Sequence, residues 1–360
     1  MTIVLNQPLK PNLPKLTKYL ERVNDSGWYT NFGPLHQELT ARLESYLGVK
    51  NLLLVSNGTL ALQVAYKALN TQSALTTPFS FVATASSLIW QGIETSFCDI
   101  DMSSYNLCPI EVKKALHTNK NIDTIVATHV YGNPCNVKVF DALAEEHNVK
   151  VIYDAAHAFA VKIGDKSILS FGDASTLSFH STKVFHTVEG GAIVFKHKAD
   201  FERAKRLINF GIDVNGNITE AGINAKLNEY QCAVGLTILD QIDDVLEHRS
   251  ALFTAYRYGL KDVVEMPNWY PDTSFNGAYM PINLCNDELV SKTVDFLNDN
   301  NVQSRRYFKP SLDKVFGKQQ NYGSKVSERI TQGILCLPLH SYMTLDNVIE
   351  INKLIKKVIK

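Results

Sequence analysis

The sequence predicts an α/β protein in two parts, a mostly parallel central sheet covered by helices and then a smaller α+β unit. Three observations predict it. Between residues 51 and 164, apolar runs of strand length alternate with segments of helical periodicity, which is the rhythm of βαβ units. Past Gly164 the strand candidates crowd together and long helical segments follow. The chain has 360 residues, whereas a single hydrophobic core stops growing at roughly 250–300.

Taken in order, Leu52–Val55 reads as the first strand. In the helix after it, Thr59, Leu62, Ala65, Tyr66 and Leu69 fall near one face, which should pack on the sheet. Ala74–Thr77 is the next strand, and a helical stretch runs to Gln91. Strands at Ile93–Ile100, Ile122–Val130 and Val149–Asp154 are separated by helices at Ile110–His117 and Val137–Glu146. Ala174–Ser178 and Ala192–Phe195 are closely spaced strands, and long helical segments extend from about Ala225 through Tyr258. The last part offers a strand (Ala278–Leu284), a helix (Asp287–Asn298), a strand (Val302–Tyr307) and a terminal helix (Leu345–Ile359). The boundary falls near Leu246–Lys261, inside a helix that bridges the lobes, so residues 1–245 form a large domain and 246–360 a small one.

Composition narrows the function classes. Lys+Arg and Asp+Glu both number 36 and no basic block stands out, so the footprint of a nucleic-acid binder is missing. No run approaches the ~20 apolar residues of a membrane span, and the N-terminal stretch lacks the charged and apolar regions of a signal peptide, which together predict a cytoplasmic protein. The six cysteines lie far apart, with no CxxC pair and no histidine at metal-ligand spacing. Buried free thiols, no disulfide framework and no metal are the expectation.

Two segments carry chemistry. In Val149-Lys-Val-Ile-Tyr-Asp-Ala-Ala-His157, an apolar strand ends on Asp154, and ligands of open α/β sheets bind at strand C-terminal ends. A helix N-cap is the alternative role for that carboxylate. Further on, Thr176-Leu-Ser-Phe-His-Ser-Thr-Lys183 leads to Glu189-Gly-Gly191, placing a lysine just past a strand. Alone, it would read as a solvated surface group. The turn Ser56-Asn-Gly-Thr59 opens a helix, where free backbone N–H groups and the positive dipole end favour a phosphate; taken alone, it would read as the end of a strand and the cap of a helix.

Set together, these strings resemble the DegT/DnrJ/StrS family of sugar-nucleotide aminotransferases over nearly the whole chain. The shared motifs are Ser56-Asn-Gly-Thr59, Thr77-Pro-Phe-Ser-Phe-Val-Ala-Thr84, His129-Val-Tyr-Gly-Asn-Pro-Cys135, Tyr153-Asp-Ala-Ala-His157, Ser178 through Lys183, Glu189-Gly-Gly191, Asn224 through Gln231 and Arg305-Arg-Tyr-Phe308. The resemblance implies fold type I, the aspartate-aminotransferase-like fold, and pyridoxal 5'-phosphate (PLP) as cofactor, cycling through pyridoxamine phosphate. Lys183 is then the cofactor-anchoring lysine and general base, and Asp154 keeps the pyridine nitrogen protonated. Gly58, Thr59 and Ser178 hold the phosphate. Phe81 stacks on the pyridine, or is ordinary core. Asn228 reaches the phosphate of a neighbouring subunit, which makes a homodimer part of the site.

His157 stands where many relatives carry glutamine, against the cofactor's ring oxygen, or is a structural histidine. Dehydratases that resemble this family replace the lysine with histidine; here Lys183 is present. Arg305, Arg306, Tyr307 and His340 are candidates for gripping the substrate, and the arginines could equally form surface ion pairs. Around Tyr131 and Lys183 the likeness is greatest to enzymes that aminate C4 of dTDP-4-keto-6-deoxyglucose with L-glutamate as donor. A GDP-linked (perosamine-type) or C3 keto-sugar aminotransferase, a PLP lyase acting on amino acids, and a non-enzymatic sensor on this scaffold are the alternatives.

Overall fold

The computed structural model describes residues 2–359. Among these residues are twelve strands: β1 (Leu52–Val55), β2 (Ser73–Thr76), β3 (Glu94–Phe97), β4 (Thr124–Thr128), β5 (Lys150–Asp154), β6 (Lys162–Ile163), β7 (Lys166–Ser167), β8 (Ala174–Ser178), β9 (Gly191–Phe195), β10 (Met280–Asn283), β11 (Gln320–Asn321) and β12 (Ile334–Leu337). Eight of them form the central sheet in the order β1-β9-β8-β5-β4-β2-β3-β11. The run from β8 to β11 is parallel throughout, and β9 is antiparallel to both its neighbours.

Period-two alternation sorts the sheet residues onto two faces. Ile125, Ala127, Val151 and Tyr153 join one core, and Val126 and Ile152 the other. The second face is covered by α3 (Gly58–Ala68), whose Leu62, Ala65 and Tyr66 are buried, with Leu69 just past its end. Thr59 departs from the expected packing face: it is exposed at the mouth of a cleft. The first face is covered in part by α5 (Pro109–Thr118) and α6 (Val137–His147).

The expected helical segments from Ala225 through Tyr258 are the two helices Glu229–Leu239 and Ile242–Leu260; Asn228 caps the start of the first with a full capping box and the chain turns at Asp240–Gln241. Ile242 and Val245 pack in the core under the large sheet, whereas Leu252, Phe253, Tyr256 and Leu260 pack with β10 and β12 in a separate core. Val302–Tyr307 is not a strand; Val302 and Arg305 make only single bridges, to Ile3 and Cys336. The partner of β10 is β12 instead, an apolar run too short for periodicity to classify. Two N-terminal helices, Leu13–Ser26 and Pro34–Leu47, were also not foreseen; each ends at a glycine with positive φ. All six cysteines are free, but Cys285 is exposed rather than buried and Cys108 is half-buried. Among the described residues, no helix is long and apolar enough to cross a membrane.

Sheet register positions the site. Gly191 lies between Val55 and Ser178, and Asp154 between Thr128 and Thr176. The C-terminal ends of β1, β4, β5 and β8 therefore open on one edge of the sheet. A side chain at Gly191 would strike the carbonyl oxygens of Asn57 and Leu177, at 2.7 and 2.8 Å, so the last glycine of Glu-Gly-Gly is what lets these strand ends close up.

Candidate active site

Along that edge runs a cleft of about 410 Å³, lined by Gly58, Thr59, Phe81, Asp154, His157, Ser178 and Lys183 among others. A wider and more open depression of about 950 Å³ lies over Asp101, Arg257 and Arg329 and contains none of these groups. The chemistry therefore assigns the smaller cleft.

Asp154 ends β5 and is 6% exposed. Its Oδ1 accepts the Ala156 amide at 3.1 Å and its Oδ2 accepts the Thr84 hydroxyl at 2.7 Å. The first bond closes a turn and no helix follows, so the carboxylate is not a helix cap. Burial raises its pKa above the ordinary aspartate value, against the opposing effects of the Thr84 and Ala156 hydrogen bonds and the Lys183 charge.

Lys183 lies in the connection between β8 and β9, and its Nζ donates to the Tyr279 hydroxyl at 3.4 Å. Burial holds its pKa below the usual lysine value, although Asp154 and Tyr307 pull it upward. A lowered pKa enlarges the neutral, nucleophilic fraction of the amine.

At the opposite end of the cleft, Asn57 caps α3 by accepting the Leu60 amide at 2.8 Å. The Gly58 and Thr59 amides open the helix and have no intrahelical acceptor. A Cβ at Gly58 would come within 2.9 Å of the Ser178 Cβ, so only glycine lets the helix start sit against Ser178. Two free amides, a dipole end and a hydroxyl thus converge in an anion cradle.

His157 is buried, and its Nδ1 accepts the Tyr131 amide at 3.2 Å. Tyr131 itself adopts a left-handed backbone conformation, φ 61°, uncommon for a non-glycine residue. With Nδ1 an acceptor, the neutral ring carries its proton on Nε2 and presents a donor to the cleft. Burial, reinforced by the Lys183 charge, drives the pKa of His157 well below the ordinary histidine value. Phe308 stacks on the ring at 5.9 Å, and Tyr279 meets it edge-on at 4.7 Å. Phe81, 53% exposed on the cleft wall, is not core.

A family model described as the DegT/DnrJ/EryC1/StrS aminotransferase family matches residues 14–356. The chain belongs to this family. It is 38% identical over 353 residues to a dTDP-4-amino-4,6-dideoxy-D-glucose transaminase of Shigella dysenteriae, covering 96% of this chain and 95% of that one. A transaminase of the same name from Escherichia coli is 33% identical, with 98% of each covered. Among solved structures, DesI in the presence of its TDP-sugar product superposes with a TM-score of 0.92 at 28% identity, covering 99% of this chain and 93% of that one. The fold is thus that of PLP-dependent aminotransferases, and the chain is a PLP-dependent sugar-nucleotide aminotransferase.

The cleft fits the family's cofactor: an anion cradle, a buried carboxylate, a half-buried amine and an exposed aromatic wall line one cavity. Of the substrate candidates, Arg305 and Tyr307 line it too, and the Arg305 guanidinium lies 5.0 Å from the Tyr307 ring centre. Arg306 does not. It is tied to Asp287 at 2.5 Å and to the Thr331 and Gln332 carbonyls, an ion-paired structural role. His340 is also outside the lining; it is buried, and its Nδ1 accepts the Tyr342 amide. Asn228 is outside the cleft and serves as a helix cap.

Three residues in or behind this aminotransferase cleft received no role from the sequence. Tyr279 meets Lys183, Phe308 backs His157, and Thr84 braces Asp154. Thr84 lies within a shared motif, so a hydroxyl in that string was the available signal. Tyr279 offered none.

Proposed function

We propose that the enzyme exchanges the amino group of L-glutamate for the C4 keto oxygen of dTDP-4-keto-6-deoxy-D-glucose, giving dTDP-4-amino-4,6-dideoxy-D-glucose and 2-oxoglutarate. The observation that carries this reading is the convergence of Lys183, Asp154 and the Gly58–Thr59–Ser178 cradle in one cleft. The 38% identity to the Shigella transaminase supports the choice of substrate.

The cofactor, when bound, supplies an electron sink for a carbanion. Lys183 Nζ takes the α-proton of the donor amino acid, its lowered pKa keeping part of the amine neutral for that task. Tyr279 aims the amine by accepting its hydrogen bond. Asp154 would hold the proton of the cofactor's ring nitrogen, His157 Nε2–H would donate to its ring oxygen, and Phe81 would cover the ring. Arg305 and Tyr307 grip the sugar nucleotide at the cleft wall. Residues 1–245 carry the cofactor groups, and residues 246–360 contribute Tyr279, Arg305 and Tyr307 from a smaller domain.

The working unit in this reading is a cytoplasmic homodimer that supplies amino sugar for O-antigen synthesis, with Asn228 completing the phosphate site across the interface. Mixing Lys183→Ala with Asn228→Ala protein tests the sharing, because heterodimers regain one intact site.

The decisive experiment incubates the purified enzyme with PLP, L-glutamate and the dTDP-linked keto-sugar, with Lys183→Ala as control, and locates the new amine by NMR. An equatorial C4 amine absent from the control is expected. An axial amine, or turnover of the GDP-linked keto-sugar only, would overturn the product or the nucleotide assignment.

A further inference from the structure

Among the described residues, one group of three histidine and carboxylate side chains gathers its ligand atoms: His117, Glu146 and His147, all within 4.8 Å of one another. None of them lines the cleft. His117 lies in the last turn of α5, and Glu146 and His147 end α6, the helix packed against it. The pairing joins residues about thirty positions apart, so no ligand spacing is visible in the sequence.

Each group is prepared. The His147 side chain is only 9% exposed, yet its Nε2 has no hydrogen-bond partner and sits 3.7 Å from Glu146 Oε1. A buried polar nitrogen left unpaired is costly. His117 commits Nδ1 to the Lys113 carbonyl at 2.8 Å, which fixes the tautomer and leaves Nε2 as the free donor atom. Lys113 Nζ engages Glu146 Oε2 at 2.9 Å, leaving Oε1 facing His147.

We propose that His117, Glu146 and His147 bind a divalent transition cation of the zinc type. Two imidazoles and a carboxylate suit that ion. Tetrahedral bonds of about 2.0–2.1 Å place ligand atoms about 3.4 Å apart, close to the 3.7 Å between His147 and Glu146. Rotation of His117 and Glu146, both exposed, closes the remainder. The ammonium groups of Lys113 and Lys120 stand nearby and oppose a dication, so binding is weaker than at a closed four-ligand site. The bound ion ties the ends of two sheet-covering helices together.

Chelator-treated holoenzyme is titrated with zinc by calorimetry and with cobalt(II) by absorption, alongside His117→Ala and Glu146→Gln. One ion per chain is expected, bound at least about tenfold more weakly by either variant. The cobalt spectrum should be tetrahedral without a sulfur band, and zinc should raise the Tm of the parent but not of the variants. No binding at millimolar metal, a thiolate band that puts the ion on cysteine, or an isotherm unchanged by both substitutions overturns the proposal.

Discussion

The Thr84 hydroxyl donates to Asp154 Oδ2 at 2.7 Å, and Ser80 links Thr84 to Thr128 at 2.8 and 3.1 Å, so a buried chain of hydroxyls stands behind the carboxylate. A hydrogen bond to a charged group contributes about 1.5–3 kcal/mol, and this one acts on the ionised form. Thr84→Val should therefore raise the pKa of Asp154 and move the acid limb of the kcat/KM profile up by about one pH unit or more. Thr84→Ser should restore it. An unmoved limb in Thr84→Val would make the contact merely structural.

The buried Asp154 carboxyl costs the fold stability. Its folded-state pKa is raised, so the folded chain disfavours the ionised form, and stability falls as pH rises from the unfolded value through the folded one. Above the unfolded value the buried carboxyl is a net burden on the apoprotein. Asp154→Asn should raise the Tm of the apoenzyme while lowering turnover at least about a hundredfold, or about 2.7 kcal/mol. Thermal denaturation of cofactor-free protein beside steady-state kinetics separates the two effects.

The Tyr131 amide bound to His157 Nδ1 leaves one donor, Nε2–H, facing the cleft. Glutamine also offers an N–H at that point. His157→Gln should keep kcat/KM within about tenfold, whereas His157→Leu, which removes the donor, should lose about tenfold or more. Because burial keeps His157 neutral, the wild-type profile should show no limb near pH 6.5 from this ring. Its appearance would mean that the imidazole titrates.

Much of this site was legible because its parts lie at the ends of apolar runs. Val151, Ile152 and Tyr153 form a strand that can only terminate at Asp154, and Leu62, Ala65 and Tyr66 fix the face of the helix whose first turn makes the anion cradle. Lys183 was legible through its neighbours rather than its own character. What stayed hidden depends on folding distance. Tyr279 is 96 residues from Lys183, Thr84 is 70 from Asp154, and no local periodicity carries such pairings. That His340 lies outside the cleft was hidden for the same reason.

Two further buried histidines make the fold sensitive to acid. Burial lowers the pKa of His129 to about 3; for His36 burial, with a smaller effect of the Lys205 charge, lowers it to about 4. Both bases are depressed, so the unfolded chain binds more protons below pH 6.5 and stability is lost as pH falls from that point towards the folded values. Each contributes up to about 1.4 kcal/mol per pH unit in that window. Urea unfolding between pH 7 and 5 should show uptake of about two protons or more. Stability that is flat over this range would contradict the assignment.

Neighbouring arginines should part in kinetics. Arg305 lines the cleft and has no ion-pair partner among the described residues, whereas Arg306 bonds Asp287 and two carbonyls in the last turn of the helix Lys325–Gly333. Removing Arg305 deletes a free cation at the cleft wall, so Arg305→Ala should raise KM for the sugar nucleotide about tenfold while Tm holds. Arg306→Ala leaves the carbonyls of Thr331 and Gln332 without their donor, and should lower stability by about 1–3 kcal/mol with KM nearly unchanged. Measuring KM and Tm for both variants decides the matter, since the opposite pattern would place Arg306 on the substrate and Arg305 in the scaffold.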